Sequence, residues 1–124
     1  MSADWLAAHA AEDFCYLTTV GRRSGNAHEI EIWFAVLDGA LYMMAGGRDR
    51  SDWVRNVMKT PEVGVRIKGE TRRGTARVID AAAEPELDAR VRRVVCEKYG
   101  ELEANGGLSG WGKTALPVEV RLAD

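Results

Sequence analysis

Residues 14–56 read FCYLTTVGRRSGNAHEIEIWFAVLDGALYMMAGGRDRSDWVRN, and the fold turns on how this stretch is divided. Phe14 to Val20 is aromatic and β-branched and stops at Gly21, as a strand does. Residues 28–37 alternate: Ile30, Ile32, Phe34 and Val36 share one face, and Glu29, Glu31, Trp33 and Ala35 the other. Asp38-Gly39 is a strong hairpin signal, and residues 40–45 form the returning strand. The stretch therefore predicts a three-stranded antiparallel meander followed by a Gly-containing loop at 46–50.

The flanks complete the pattern. Residues 3–12 predict a short helix lying across the sheet, with Trp5, Ala8 and His9 at helical spacing. A second helix over 52–59, capped by Ser51 or Asp49, turns Trp53, Val57 and Met58 inward and ends before Pro61. Residues 63–68 and 71–81 predict a second hairpin around Gly69-Glu70, and 84–99 a helix with Leu87, Val91, Val94, Val95 and Tyr99 inward and its arginines solvated. A Gly-rich loop at 105–114 leads to a last strand at 116–122. Six mostly antiparallel strands in one domain of 124 residues must curl, and closure into a barrel removes the exposed edges.

A net charge of −2 excludes a global basic field, so nucleic acid is not an expected partner. No stretch approaches the roughly 20 apolar residues of a membrane span, and the start lacks the basic, apolar pattern of a signal peptide, so a soluble cytoplasmic protein is expected. Cys15, Cys96, His9 and His28 are not at metal-ligand spacing, and the cysteines read as small hydrophobes. Gly107 to Thr114 formally matches GxxxxGK[ST], but it follows a helix and enters a strand, the reverse of a phosphate-binding P-loop. Neither a nucleophilic triad nor a tuned carboxylate pair is present, which leaves any redox chemistry to a cofactor.

The basic residues are local. Arg22-Arg23-Ser24 occupies the first turn, and Arg48, Arg50 and Arg55 surround the second helix start. Guanidinium forks suit phosphate oxygens, helix N-termini attract anions, and Gly46-Gly47 would let a ligand approach the backbone. A solvated hairpin tip is the plain alternative for the first cluster, but antiparallel pairing puts both clusters at one end of the sheet. Charge-assisted hydrogen bonds contribute about 1.5–3 kcal/mol each, against about 8 kcal/mol for micromolar affinity. A flat apolar body would supply the rest, against Trp33, Met44, Trp53 or Trp111.

The segments LTTVGRRSG and AGGRDRSDWVRNVMKTPEVGVRI, with GTARV and LSGWGKTALPVEV later, resemble the deazaflavin-dependent nitroreductase and quinone reductase family. That resemblance implies a split β-barrel with two to three flanking helices, binding coenzyme F420 and passing hydride from its reduced form to a quinone, nitroaromatic or activated alkene. Arg22, Arg23, Ser24 and Gly25 match the family's phosphate-holding turn, with Ala27 and His28 where members often carry proline and arginine. Gly46, Gly47, Arg48, Asp49 and Arg50 match the loop along the deazaflavin ring, and Trp53, Arg55 and Asn56 the helix beneath it. An FMN-binding oxidoreductase or a non-catalytic tetrapyrrole-binding protein of the same barrel is the alternative. A homodimer would be favoured by an apolar outer sheet face that includes Trp33.

Overall fold

The computed structural model describes residues 2–123. Helix α1 spans Ser2–His9, and strands follow at β1 Cys15–Val20, β2 Ala27–Ile32, β3 Ala35–Leu37 and β4 Ala40–Ala45. A 3-10 turn at Arg48–Arg50 precedes α2 Asp52–Lys59, then β5 Glu62–Ile67, β6 Glu70–Val78, α3 Pro85–Tyr99, α4 Gly110–Thr114 and β7 Leu116–Leu122. The seven strands form one antiparallel sheet in the order β2-β1-β5-β6-β7-β4-β3, which curls as a split β-barrel.

This corrects the meander and the count of six. Residues 28–37 are not one strand: β2 pairs with β1, Leu17 opposite Ile30, whereas β3 pairs with β4, Val36 opposite Leu41. The two halves lie at opposite ends of the sheet although only Trp33 and Phe34 separate them. Helix α3 causes the break by occupying the backbone groups a ladder would need. Phe34 N–H donates to the Tyr99 hydroxyl at 3.0 Å, and Phe34 C=O accepts from Lys98 Nζ at 2.8 Å. The Tyr99 hydroxyl lies 2.9 Å from that carbonyl and 2.7 Å from Asp13 C=O, so its single proton serves one of the two.

The alternation itself survives, and it builds two cores. Leu17, Phe34, Leu41, Met43, Val65, Val118 and Val120 face the barrel interior, which α1 enters with Trp5 and Leu6. Ala35, Tyr42 and Met44 face outward, where Val91 and Val95 of α3 cover them. Strand β4 is buried at every position because helix lies on one side of it and barrel on the other.

Three further expectations change. On α2 the inward stripe is Val54, Asn56 and Val57, while Met58 is exposed. The loop at 105–114 contains the fourth helix, opened by Ser109, whose hydroxyl accepts from Gly112 N–H at 3.0 Å. Arg92 is not solvated; it pairs with Asp88 at 2.7 Å and donates to Gly112 C=O at 2.9 Å, tying α3 to α4. Among the described residues no helix is long and apolar enough to cross a membrane.

Candidate functional site

The turn between β1 and β2 is closed by Gly21 N–H to Asn26 C=O and Gly25 N–H to Gly21 C=O, each 2.8 Å, with Gly25 in the left-handed region at φ 76°. It docks on α2 through Asn56, which is 5% exposed. Asn56 Oδ1 accepts from Arg22 N–H at 3.1 Å and from the Arg22 guanidinium at 3.0 Å, and Asn56 Nδ2 donates to Thr19 Oγ1 at 3.1 Å. Arg22 also pairs with Asp52 at 3.1 Å, and Lys59 Nζ donates to Arg22 C=O at 2.7 Å. The turn is thus joined to α2 by this bracket, and not by adjacent strands of a meander.

Between turn and helix lies a cavity of about 450 Å³, walled by Thr19, Gly21, Arg22, Arg23, Ser24, His28, Glu29, Ile30, Asp52, Trp53 and Asn56. Six of the residues singled out in the sequence line it: Arg22, Arg23, Ser24, His28, Trp53 and Asn56. Their roles are unequal. Arg22 and Asn56 are spent on each other, whereas the side chains of Arg23 and His28 make no hydrogen bond or ion pair among the described residues. A Cβ added at Gly21 would sit 2.6 Å from Ser24 Oγ and 2.8 Å from His28 Nε2, so a larger residue here would push those two side chains from their places in the wall.

The other candidates lie outside that wall. Gly25 is at the open tip of the turn. The 3-10 turn separates Gly46-Gly47 from α2, and a Cβ at Gly46 would come within 3.1 Å of Trp111 Nε1. Arg48 donates to Thr114 C=O, Arg55 Nε donates to Asp49 C=O at 3.0 Å, and Arg50 projects from the exposed turn.

Sequence reading missed Thr19, Gly21, Glu29, Ile30 and Asp52 as wall residues. Asp52 was legible as a carboxylate in the first turn of α2, where it meets the positive end of the helix. The charges lining the cavity are consequently mixed: Asp52 faces Arg22, and Glu29 is held by Arg66 at 2.8 Å outside the wall. Arg23 remains as the uncommitted guanidinium.

A second cavity of about 250 Å³ lies further along β2, which contributes His28 to Ile30 to the first and Glu31 and Ile32 to the second. Phe14, Trp33, Met44 and Trp111 complete it. Trp33, expected on an outer sheet face that could pair two copies, instead leaves the sheet and lines this hollow. It stacks on Tyr99 with centroids 4.3 Å apart and planes 6° apart, and meets Trp111 edge-on at 5.7 Å. Burial pushes the Tyr99 hydroxyl up to about 12 and lowers Lys98, whose ammonium sits 3.9 Å from the centroid of the Phe34 ring. Tyr16 is raised because its hydroxyl donates to Glu31 at 3.1 Å.

Solved structures share this fold. A conserved hypothetical protein of Mycobacterium tuberculosis, Rv2991, superposes with a TM-score of 0.71 at 22% identity, over 100% of this chain and 85% of its own. An F420-H2 dependent reductase, FDR-A, gives 0.65 at 22% identity over 90% of this chain and 95% of that one. HutZ, the haem storage protein of Vibrio cholerae, gives 0.76 at 15% identity over 98% and 89%. No curated protein sequence matches the chain. The model of the F420H(2)-dependent quinone reductase family matches residues 7–122, nearly the full length, and the chain belongs to that family.

Proposed function

We propose that this chain is an oxidoreductase that binds reduced coenzyme F420 and passes hydride to a small electrophilic acceptor: a quinone, a nitroaromatic or an activated alkene. The observation that carries the reading is the pair of cavities lined by successive residues of β2, one bearing a free guanidinium and the other walled by indoles, in a chain of this family. The residues present suit such a coenzyme. The glycine floor at Gly21, the Ser24 hydroxyl and the uncommitted Arg23 can receive a phosphate, and Trp53 and Ile30 offer apolar surface to a flat ring.

When bound, the reduced deazaflavin supplies a hydride, two electrons and one proton in a single transfer. The chain's own contribution is positional. Asn56 fixes the turn against α2 and so fixes where Arg23 and Ser24 stand. Indole and aliphatic walls keep water from the reacting faces. A quinone that accepts hydride takes its second proton from solvent at the open mouth of the hollow, which balances the reduction to hydroquinone.

Titrating the purified protein with oxidised F420 and with FMN tests the assignment. Binding of F420, followed by protein-dependent oxidation of its reduced form by menadione, is the expected result. Tight binding of FMN without F420 would transfer the chain to flavin chemistry, and tetrapyrrole binding without turnover would make it a carrier.

A further inference from the structure

The two neighbouring cavities differ in charge, and the difference sorts ligands. The first offers Arg23 free, beside Ser24 and His28. The second has Glu31 as its sole charged wall residue among the described residues, with Phe14, Ile32, Trp33, Met44 and Trp111. We infer that the second cavity is the acceptor subsite and that Glu31 sets its charge preference: flat aromatic acceptors that are neutral or cationic enter, and anionic ones are refused. The inference rests on the proposed reduction by F420, since it names which acceptors that chemistry reaches.

Geometry supports a planar occupant. Trp33 is 42% exposed, and one of its faces is taken by Tyr99 in a near-parallel stack. Its other face is a platform for an offset-stacked ring, with Trp111 set edge-on beside it and Phe14, also 42% exposed, across the opening. The platform is stiff because the backbone of the next residue, Phe34, is held by Tyr99 and Lys98. Stacked indoles attract cationic rings further through their negative faces.

Glu31 is likewise held in place. The Tyr16 hydroxyl donates to its Oε1 at 3.1 Å, and Tyr16 is steadied by the Arg66 guanidinium lying 4.2 Å over its ring. Neighbouring cations are engaged elsewhere: Arg66 with Glu29, and Lys98 with the Phe34 carbonyl. An anionic acceptor on the Trp33 platform therefore meets an uncompensated carboxylate.

The test uses two unreactive bicyclic probes, 1-methylquinolinium and naphthalene-2-carboxylate, titrated calorimetrically into the protein and into Glu31→Gln with no coenzyme present. The substituted amide keeps an oxygen to accept from Tyr16, so the wall is preserved while its charge is removed. The cation should bind about 25-fold tighter than the anion, because one unit charge about 4 Å away in water is worth about fivefold to each probe, with opposite sign. In Glu31→Gln the two should fall within about twofold of each other. Equal binding in the parent, no binding of either probe, or a preference that survives the substitution overturns the inference. So does displacement of the cation by saturating F420, which would give the hollow to the coenzyme. Because the titration needs no coenzyme, failure of the protein to bind F420 refutes the proposed function and leaves this result separate.

Discussion

Asn56 offers the sharpest test of how the site is built. Truncating it to alanine removes three hydrogen bonds, two accepted from Arg22 and one donated to Thr19, at a place where Asn56 is 5% and Thr19 1% exposed. Each is worth about 1 kcal/mol net. The bond from the guanidinium is not counted higher, because the Arg22 side chain is 22% exposed and keeps Asp52. The total is about 3 kcal/mol, which in a chain of this length lowers the melting temperature by roughly 12 °C. Asn56→Asp separates stability from binding. Its carboxylate still accepts both bonds from Arg22, and the Thr19 hydroxyl can rotate to donate, so the loss should stay near about 1 kcal/mol. The new negative charge in the wall that Asn56 shares with Arg23, however, should weaken F420 binding by about tenfold. Thermal melts followed by circular dichroism, with coenzyme titrations on the same samples, measure both. If Asn56→Ala melts within about 3 °C of the parent, the bracket does not hold the turn. If Asn56→Asp binds F420 as tightly as the parent does, the anionic end of the coenzyme lies elsewhere.

The two arginines of the turn should separate in the same assays. Arg23→Ala should weaken F420 binding about tenfold with an unchanged melting temperature, whereas Arg22→Ala should lower both; equal behaviour would refute the division of labour. Glu119 is 1% exposed; burial opposes its charge, yet hydrogen bonds from Arg77 at 3.0 Å and Tyr42 at 2.8 Å outweigh that and hold it below its ordinary value. Its contribution to stability is therefore present above the ordinary glutamate range and is lost as pH falls through the depressed value, so acid unfolding should be shallower in Glu119→Gln, which itself should cost about 2 kcal/mol after discounting for the exposed side of Arg77. Tyr42 and Tyr99, both pushed up to about 12 chiefly by burial, act with the opposite sign: the fold keeps their contribution below about pH 10 and loses it as pH rises toward 12, so Tyr99→Phe should flatten the alkaline limb of a stability-against-pH curve.

Most strands were legible because each face carries its own period-2 pattern, and the hairpins because Asp38-Gly39 and Gly69 mark them. The division of residues 28–37 was not. Trp33 and Phe34 continue the alternation without a gap, and what interrupts the ladder is Tyr99, far along the chain on another element. The site was legible to a similar depth. Turn and α2 could be named from their basic residues, but which arginine is spent and which is free depends on Asn56, whose reach across to Arg22 is tertiary. The helix Gly110–Thr114 was hidden by its own glycines, since their low helix propensity is overridden by the Ser109 cap and by Arg92 on Gly112. Asp52, the counterweight to Arg22, carried no role in the sequence beyond opening the helix, because its partner lies 30 residues away.

Strand β7 lies between β6 and β4, with Val120 opposite both Ala76 and Leu41. During synthesis, therefore, β4 has only the three-residue β3 as a partner until β7 leaves the ribosome, and the rest of its apolar edge stays open. The growing polypeptide carries the β7-facing edge of Leu41 to Ala45 open through the whole synthesis of β5, β6, α3 and α4, the interval in which this chain is most exposed to edge-to-edge association.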